Sequence, residues 1–115
     1  MWSEKKVRST LELNDRELRE MCNAGQLLGL TAADALTIRY PVFQFERHDA
    51  TVRVKPALAA FMTLLSYRDP WTTAIVAKTP APELDGLSPL EWVNLGHDER
   101  SLRDYAHILR AEFER

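Results

Sequence analysis

Apolar residues along this chain switch between the helical and the strand period, and the switches divide it into segments. Over residues 1–13 the apolar positions Val7, Leu11 and Leu13 recur weakly, and the segment reads as extended or flexible. A clear helix signal follows. Asn14 precedes Asp15 and stands three positions before Glu17, the arrangement of a capping box with acid at the positive helix end. Leu18, Met21 and Cys22 then share one face, and Gly25 supplies a stop.

From Leu36 the period shortens to two. Leu36, Ile38 and Tyr40 alternate with Thr37 and Arg39, the pattern of a half-buried strand. Pro41 cannot donate to a ladder, so the strand lies at an edge or bends there. Phe43 and Phe45 resume the alternation, and Val52 and Val54 repeat it beyond the polar link Arg47-His48-Asp49-Ala50. Two such runs around a short link predict a small hairpin, too little for a sheet domain and so laid against helices.

The helical period returns at Pro56, a first-turn residue, with Leu58, Phe61, Met62 and Leu65 at i, i+3, i+4 and i+7. Asp69-Pro70 opens a short helix through Lys78, broken by Thr79-Pro80-Ala81-Pro82. Ser88-Pro89-Leu90-Glu91 combines a cap, a first-turn proline and a returning glutamate, and its helix stops at Gly96. The last helix starts near Asp98, with Leu102, Tyr105, Ala106, Leu109 and Phe113 on one face and Arg100, Arg103, Asp104, His107 and Arg110 on the rest. The expected fold is mainly α: a compact helical domain with a small β-hairpin in its N-terminal half. Residues 14–55 supply helix and hairpin, and residues 56–115 a helical module.

Composition narrows the function. A chain of 115 residues is one domain's worth, and 45% hydrophobic with 28% charged residues is ordinary for a globular protein. A net charge of −2 lacks the basic footprint of a dedicated nucleic-acid binder. The single cysteine, Cys22, excludes an internal disulfide and a cysteine-based zinc site, and points to a reducing compartment. No apolar run approaches the ~20 residues of a membrane span. The start, Met1-Trp2-Ser3-Glu4-Lys5-Lys6, has no apolar segment behind its lysines and does not read as a secretory signal, so the expected location is cytoplasmic, with no membrane partner.

Little is equipped for chemistry. His48, His97 and His107 lie in charged or turn-like sequence and read as exposed. Cys22, beside Met21 on an apolar face, reads as a small buried hydrophobe. The four glycines are scattered and fit turns or helix ends rather than a phosphate loop, and the acids show no metal-loop spacing. The expectation is a binding protein that is not an enzyme and calls for no cofactor or metal.

Two surfaces compete as the binding face. Residues 39–55 hold Arg39, Arg47, Arg53 and Lys55 against Glu46 and Asp49. With Ile38, Val52 and Val54 inward, Arg39 and Arg53 share the outer face, and beside the Asn14 helix such a hairpin resembles a winged DNA reader. A solvated strand face is the stronger reading, because so few charges bind phosphate weakly. The last helix offers the other surface. Phe113 lies a turn beyond Leu109, where helix ends fray, and aromatic and Arg residues are the usual anchors of interfaces. Core and partner contact are equal readings for it.

Asp69-Pro70-Trp71, then Leu84-Asp85-Gly86-Leu87-Ser88-Pro89-Leu90-Glu91-Trp92-Val93, then Gly96 and a closing helix resemble the toxin-binding domain of the MbcA/ParS/Xre-type antitoxins. The resemblance covers residues 56–115. Gly25-Gln26-Leu27-Leu28-Gly29-Leu30 with Tyr40-Pro41-Val42-Phe43-Gln44-Phe45 is similar to small proteins that join such a domain to a short N-terminal segment. The family resemblance implies a RES-type, NAD-consuming toxin as cognate partner, its active-site entrance blocked by the antitoxin's C-terminal region. It implies Arg103, Arg110, Phe113 and Arg115 as toxin-facing residues, with Glu112, Glu114 or the terminal carboxylate suited to a basic, phosphate-binding pocket. Many members also repress their own operon through an N-terminal helix-turn-helix, for which the segment before residue 56 is short. DNA-binding regulation through Arg39, Arg47, Arg53 and Lys55 is the alternative, and pairing with a second copy as a homodimer is the third reading.

Overall fold

The computed structural model of the chain describes residues 1–113. The N-terminal segment is a strand and a helix. Strand β1 (Trp2–Ser3) runs directly into helix α1 (Glu4–Leu11), because the Ser3 hydroxyl accepts the backbone N–H of Lys6 at 3.1 Å and caps the first turn. Val7 is fully buried beneath it. Helix α2 (Asp15–Asn23) carries the expected capping box. Asn14 Oδ1 accepts from Glu17 N at 2.8 Å, and Glu17 Oε1 accepts from Asn14 N at 3.0 Å. Gly25, at φ 76°, turns the chain back towards the body of the domain.

Strand β2 (Leu30–Thr31) and strand β3 (Ile38–Tyr40) join β1 in an antiparallel sheet of order β1-β3-β2, with Trp2 opposite Tyr40 and Leu30 opposite Arg39. The β2–β3 turn is held by Asp34, whose carboxylate accepts from the backbone of Leu36 and Thr37 and from the Thr37 hydroxyl at 2.7–2.9 Å. A 3-10 turn over Val42–Gln44 leads to β4 (Phe45–His48), which pairs antiparallel with β5 (Thr51–Val54). Four helices follow: α3 (Pro56–Leu64), α4 (Pro70–Ala77), α5 (Pro89–Asn94) and α6 (Glu99–Phe113). Prolines open three of them, where a missing N–H costs nothing. Ser88 and Glu91 close the expected capping box on α5. Trp92 then ties α5 to the start of α6, its indole N–H donating to the Asp98 carbonyl at 2.7 Å.

The expectation of a mainly α domain is corrected. The molecule is α+β, with 54% of residues in helix and 15% in strand: six helices and two antiparallel sheets among the described residues. The cause lies in strand length. Two-residue strands such as Trp2–Ser3 and Leu30–Thr31 contain no alternation from which a period can be read. The hairpin differs in its partners as well. Ile38–Tyr40 joins β1 and β2, the turn after Pro41 separates it from β4, and the hairpin closes at Asp49-Ala50 with Phe45 opposite Val54.

Two apolar clusters share the interior. One gathers Phe61, Leu58, Leu84, Trp92, Leu102 and Tyr105, with the Phe61 and Tyr105 rings stacked at 6.2 Å to bind α3 to α6. The other gathers Val7, Leu18, Leu27, Tyr40 and Phe45, and Trp2 stacks on Phe45 at 4.7 Å. Val54 packs against both, so β5 carries the interior from one cluster to the next.

Candidate functional site

The buried face of α6 is Leu102, Tyr105, Ala106 and Leu109, as the helical period predicts. Phe113 belongs to neither apolar cluster; its side chain is 37% exposed. It joins a surface group of its own chain instead. Its ring meets Tyr67 edge-on, centroids 6.3 Å apart, and the Arg68 guanidinium lies 4.5 Å from its centroid. The Arg110 guanidinium lies 5.1 Å from the Tyr67 ring. Two aromatic rings and two guanidiniums are thus layered where the α3–α4 connection passes the last turn of α6. Each guanidinium is attracted to the negative face of the ring it covers.

Arg110 and Phe113 are therefore brought together. Arg103 is exposed two turns earlier on α6, about 10 Å along the axis from Arg110. There it borders a shallow depression against Ala57, Ala60 and Leu64 of α3. Arg115 and Glu114 lie outside the described residues. Tyr67 and Arg68 escaped the sequence reading: they occupy an exposed connection between two helices, where no periodicity marks a side chain as paired. The only available signal was composition, an aromatic and an arginine adjacent in a loop.

The basic residues of the hairpin region are distributed over two sheets. Arg39 is on β3, in the three-stranded sheet, beside an Ile38 that is 43% exposed rather than turned inward. Arg53 Nε donates to Glu46 Oε2 at 2.8 Å across the hairpin. Lys55 Nζ donates to Asn94 Oδ1 at 2.8 Å, and its burial lowers its pKa although Glu46 opposes the shift. Arg47 is exposed on β4. Arg39 and Arg53 consequently do not share one outer face, since they stand on different sheets.

His48, His97 and His107 are exposed, with His97 tilted on the Trp92 ring at 4.6 Å. Cys22 is half-buried and hydrogen-bonded to Tyr40; burial, more than the opposing hydrogen bond, pushes its thiol pKa up. Tyr40 is shifted the same way, first by burial and then by Cys22 and Glu4. Both groups stay protonated at neutral pH, which describes an unreactive thiol. Among the described residues no three His, Cys, Asp or Glu side chains gather as metal ligands. Nor is any described helix long and apolar enough to cross a membrane.

In comparisons with known proteins, the chain matches no family model, no curated protein and no solved structure. The antitoxin resemblance is accordingly carried by the quoted residues alone. The structure separates the two tryptophans of that motif: Trp92 is buried, whereas Trp71 is 47% exposed, its indole N–H donating to the Thr31 carbonyl at 3.0 Å.

Proposed function

We propose that this protein binds and neutralises a RES-type, NAD-consuming enzyme, the tip of α6 occluding the active-site entrance without turnover or cofactor. The observation that supports this most directly is the solvent-facing group of Tyr67, Arg68, Arg110 and Phe113. Aromatic and arginine side chains dominate the energetics of protein interfaces. Here each guanidinium already rests on a ring, so binding would freeze less side-chain motion than it would for four independent side chains. The group stands on a firm base, since Leu109 and Tyr105 of the same helix are buried in the larger cluster. Exposed Glu112, on the last turn of α6, offers a carboxylate to a pocket shaped for the phosphates of NAD.

The test is co-expression with a RES-type toxin, with cellular NAD and growth as readouts. Wild-type protein preserves both. Tyr67→Ala with Phe113→Ala loses protection while the purified variant stays folded. Full protection by that folded double variant would overturn the proposal.

A further inference from the structure

A cleft of about 150 Å³ opens where the two apolar clusters meet, between α2, the Gly25–Gly29 segment, β3, α3 and the start of α4. Its walls are Leu27, Leu28, Ile38 and Met62. Gly29 lets two wall residues close on its backbone: a Cβ would stand 2.9 Å from Ile38 Cγ2 and 3.0 Å from the Tyr40 ring. An apolar cavity of about 150 Å³ is large enough for a benzene-sized molecule.

The rest of the lining includes the cleft's polar side chains. Tyr40 and Cys22 are hydrogen-bonded to each other on one side of it. Ser66 and Thr73 supply hydroxyls, and Arg68 supplies the cleft's one cationic side chain. That guanidinium rests on the Phe113 ring and forms no ion pair with a carboxylate among the described residues. The neighbouring Asp69 carboxylate feels the Arg68 charge, but its oxygens accept from the Thr72 backbone and hydroxyl. An arginine fork outside any salt bridge, beside an apolar hollow of one-ring size, has the chemistry of a carboxylate anchor.

We propose that this cleft binds a small monocarboxylate with a compact apolar body, a single ring or a branched chain, held with its carboxylate on Arg68 and its body against Leu28, Ile38 and Met62. Ligands of this kind combine a large apolar fraction with one placed polar contact, as small-molecule sites generally do. Arg68 sets the charge requirement.

The experiment titrates the methyl-labelled full chain with benzoate, 3-methylbutanoate and the uncharged benzyl alcohol, following the methyl signals of Leu28, Ile38 and Met62 by NMR. At least one carboxylate should shift these signals saturably, with a dissociation constant near or below about 1 mM. Benzyl alcohol should bind at least about tenfold more weakly, the loss of one charge-assisted contact. Arg68→Ala should weaken the carboxylate to the same degree while leaving benzyl alcohol unchanged, and Arg68→Lys should restore part of the difference. Because Arg68 is exposed, these variants keep the fold. Absence of a saturable shift with both carboxylates, or equal carboxylate affinity in Arg68→Ala, overturns the proposal.

Discussion

Gln44 closes its side-chain amide on the backbone of Leu28, sixteen residues away: Oε1 accepts the Leu28 N–H and Nε2 donates to the Leu28 carbonyl, both at 2.8 Å. The same nitrogen donates to the Pro41 carbonyl at 3.0 Å, and the whole side chain is buried. One glutamine thus does the work of a neighbouring strand for a residue that has none. It fixes the segment leading into β2 against the 3-10 turn that leads into β4.

Replacing Gln44 with Met keeps much of the volume and removes all three bonds. A buried backbone donor and acceptor left unpaired cost about 1–3 kcal/mol each, so Gln44→Met should destabilise the fold by about 2–6 kcal/mol in urea unfolding. A loss below about 0.5 kcal/mol would show that water reaches Leu28 and that the clamp is dispensable.

The glycines give a prediction that depends on surroundings as well as backbone. Gly25, Gly86 and Gly96 all have positive φ, but a Cβ at Gly25 would stand 2.8 Å from Ser66 Cβ whereas the other two face open space. Gly86→Ala and Gly96→Ala should each cost about 1 kcal/mol from the left-handed backbone alone. Gly25→Ala should cost more than either, as the α2 exit and the Ser66 turn must separate. Chemical denaturation of the three variants checks the ranking, and equal costs would contradict the close approach.

Three exposed carboxylates place a limit on acid stability. The carboxyl pKa values of Asp34, Asp69 and Asp98 lie below the ordinary 3.8: backbone Thr37 is the main cause for Asp34, the Thr72 side chain for Asp69 and the Ser101 side chain for Asp98. A depressed folded-state pKa stabilises the fold above the unfolded value, and that contribution is lost as pH falls through the folded one. The melting temperature should therefore decline below pH 3.8 as these turn and cap bonds are protonated. Asparagine still accepts a cap bond but does not titrate, so Asp69→Asn with Asp98→Asn should decline less steeply between about pH 5 and pH 2. Parallel curves for variant and wild type would show that other groups control the acid limit.

The parts of the fold legible in the sequence are those with a local chemical cause. Asn14–Glu17, Asp69–Thr72 and Ser88–Glu91 are each a side chain bonding a backbone N–H three residues on, so α2, α4 and α5 begin where expected. Helix α1 has the same device at Ser3, but its eight residues bury only Val7, and one buried apolar position sets no period. What stayed hidden depends on distant neighbours. The two-residue strands exist through pairing with β3, Gln44 through Leu28, and the Tyr67–Phe113 contact through the approach of two segments far apart in sequence. The α6 stripe, in contrast, was visible up to Leu109 and diverged only at Phe113, where the core ends and the surface group begins.

Calorimetric titration of a RES-type toxin with wild-type protein and with Phe113→Ala tests the proposed contact at the α6 tip. The ring lies outside both apolar clusters, so the variant should unfold within about 1 kcal/mol of wild type. If Phe113 anchors the proposed interface, its loss should nevertheless weaken toxin binding by about 2 kcal/mol or more, some thirtyfold in affinity. Toxin binding unchanged within about twofold, in a variant of unchanged stability, would contradict the assignment of the α6 tip as the gripping surface.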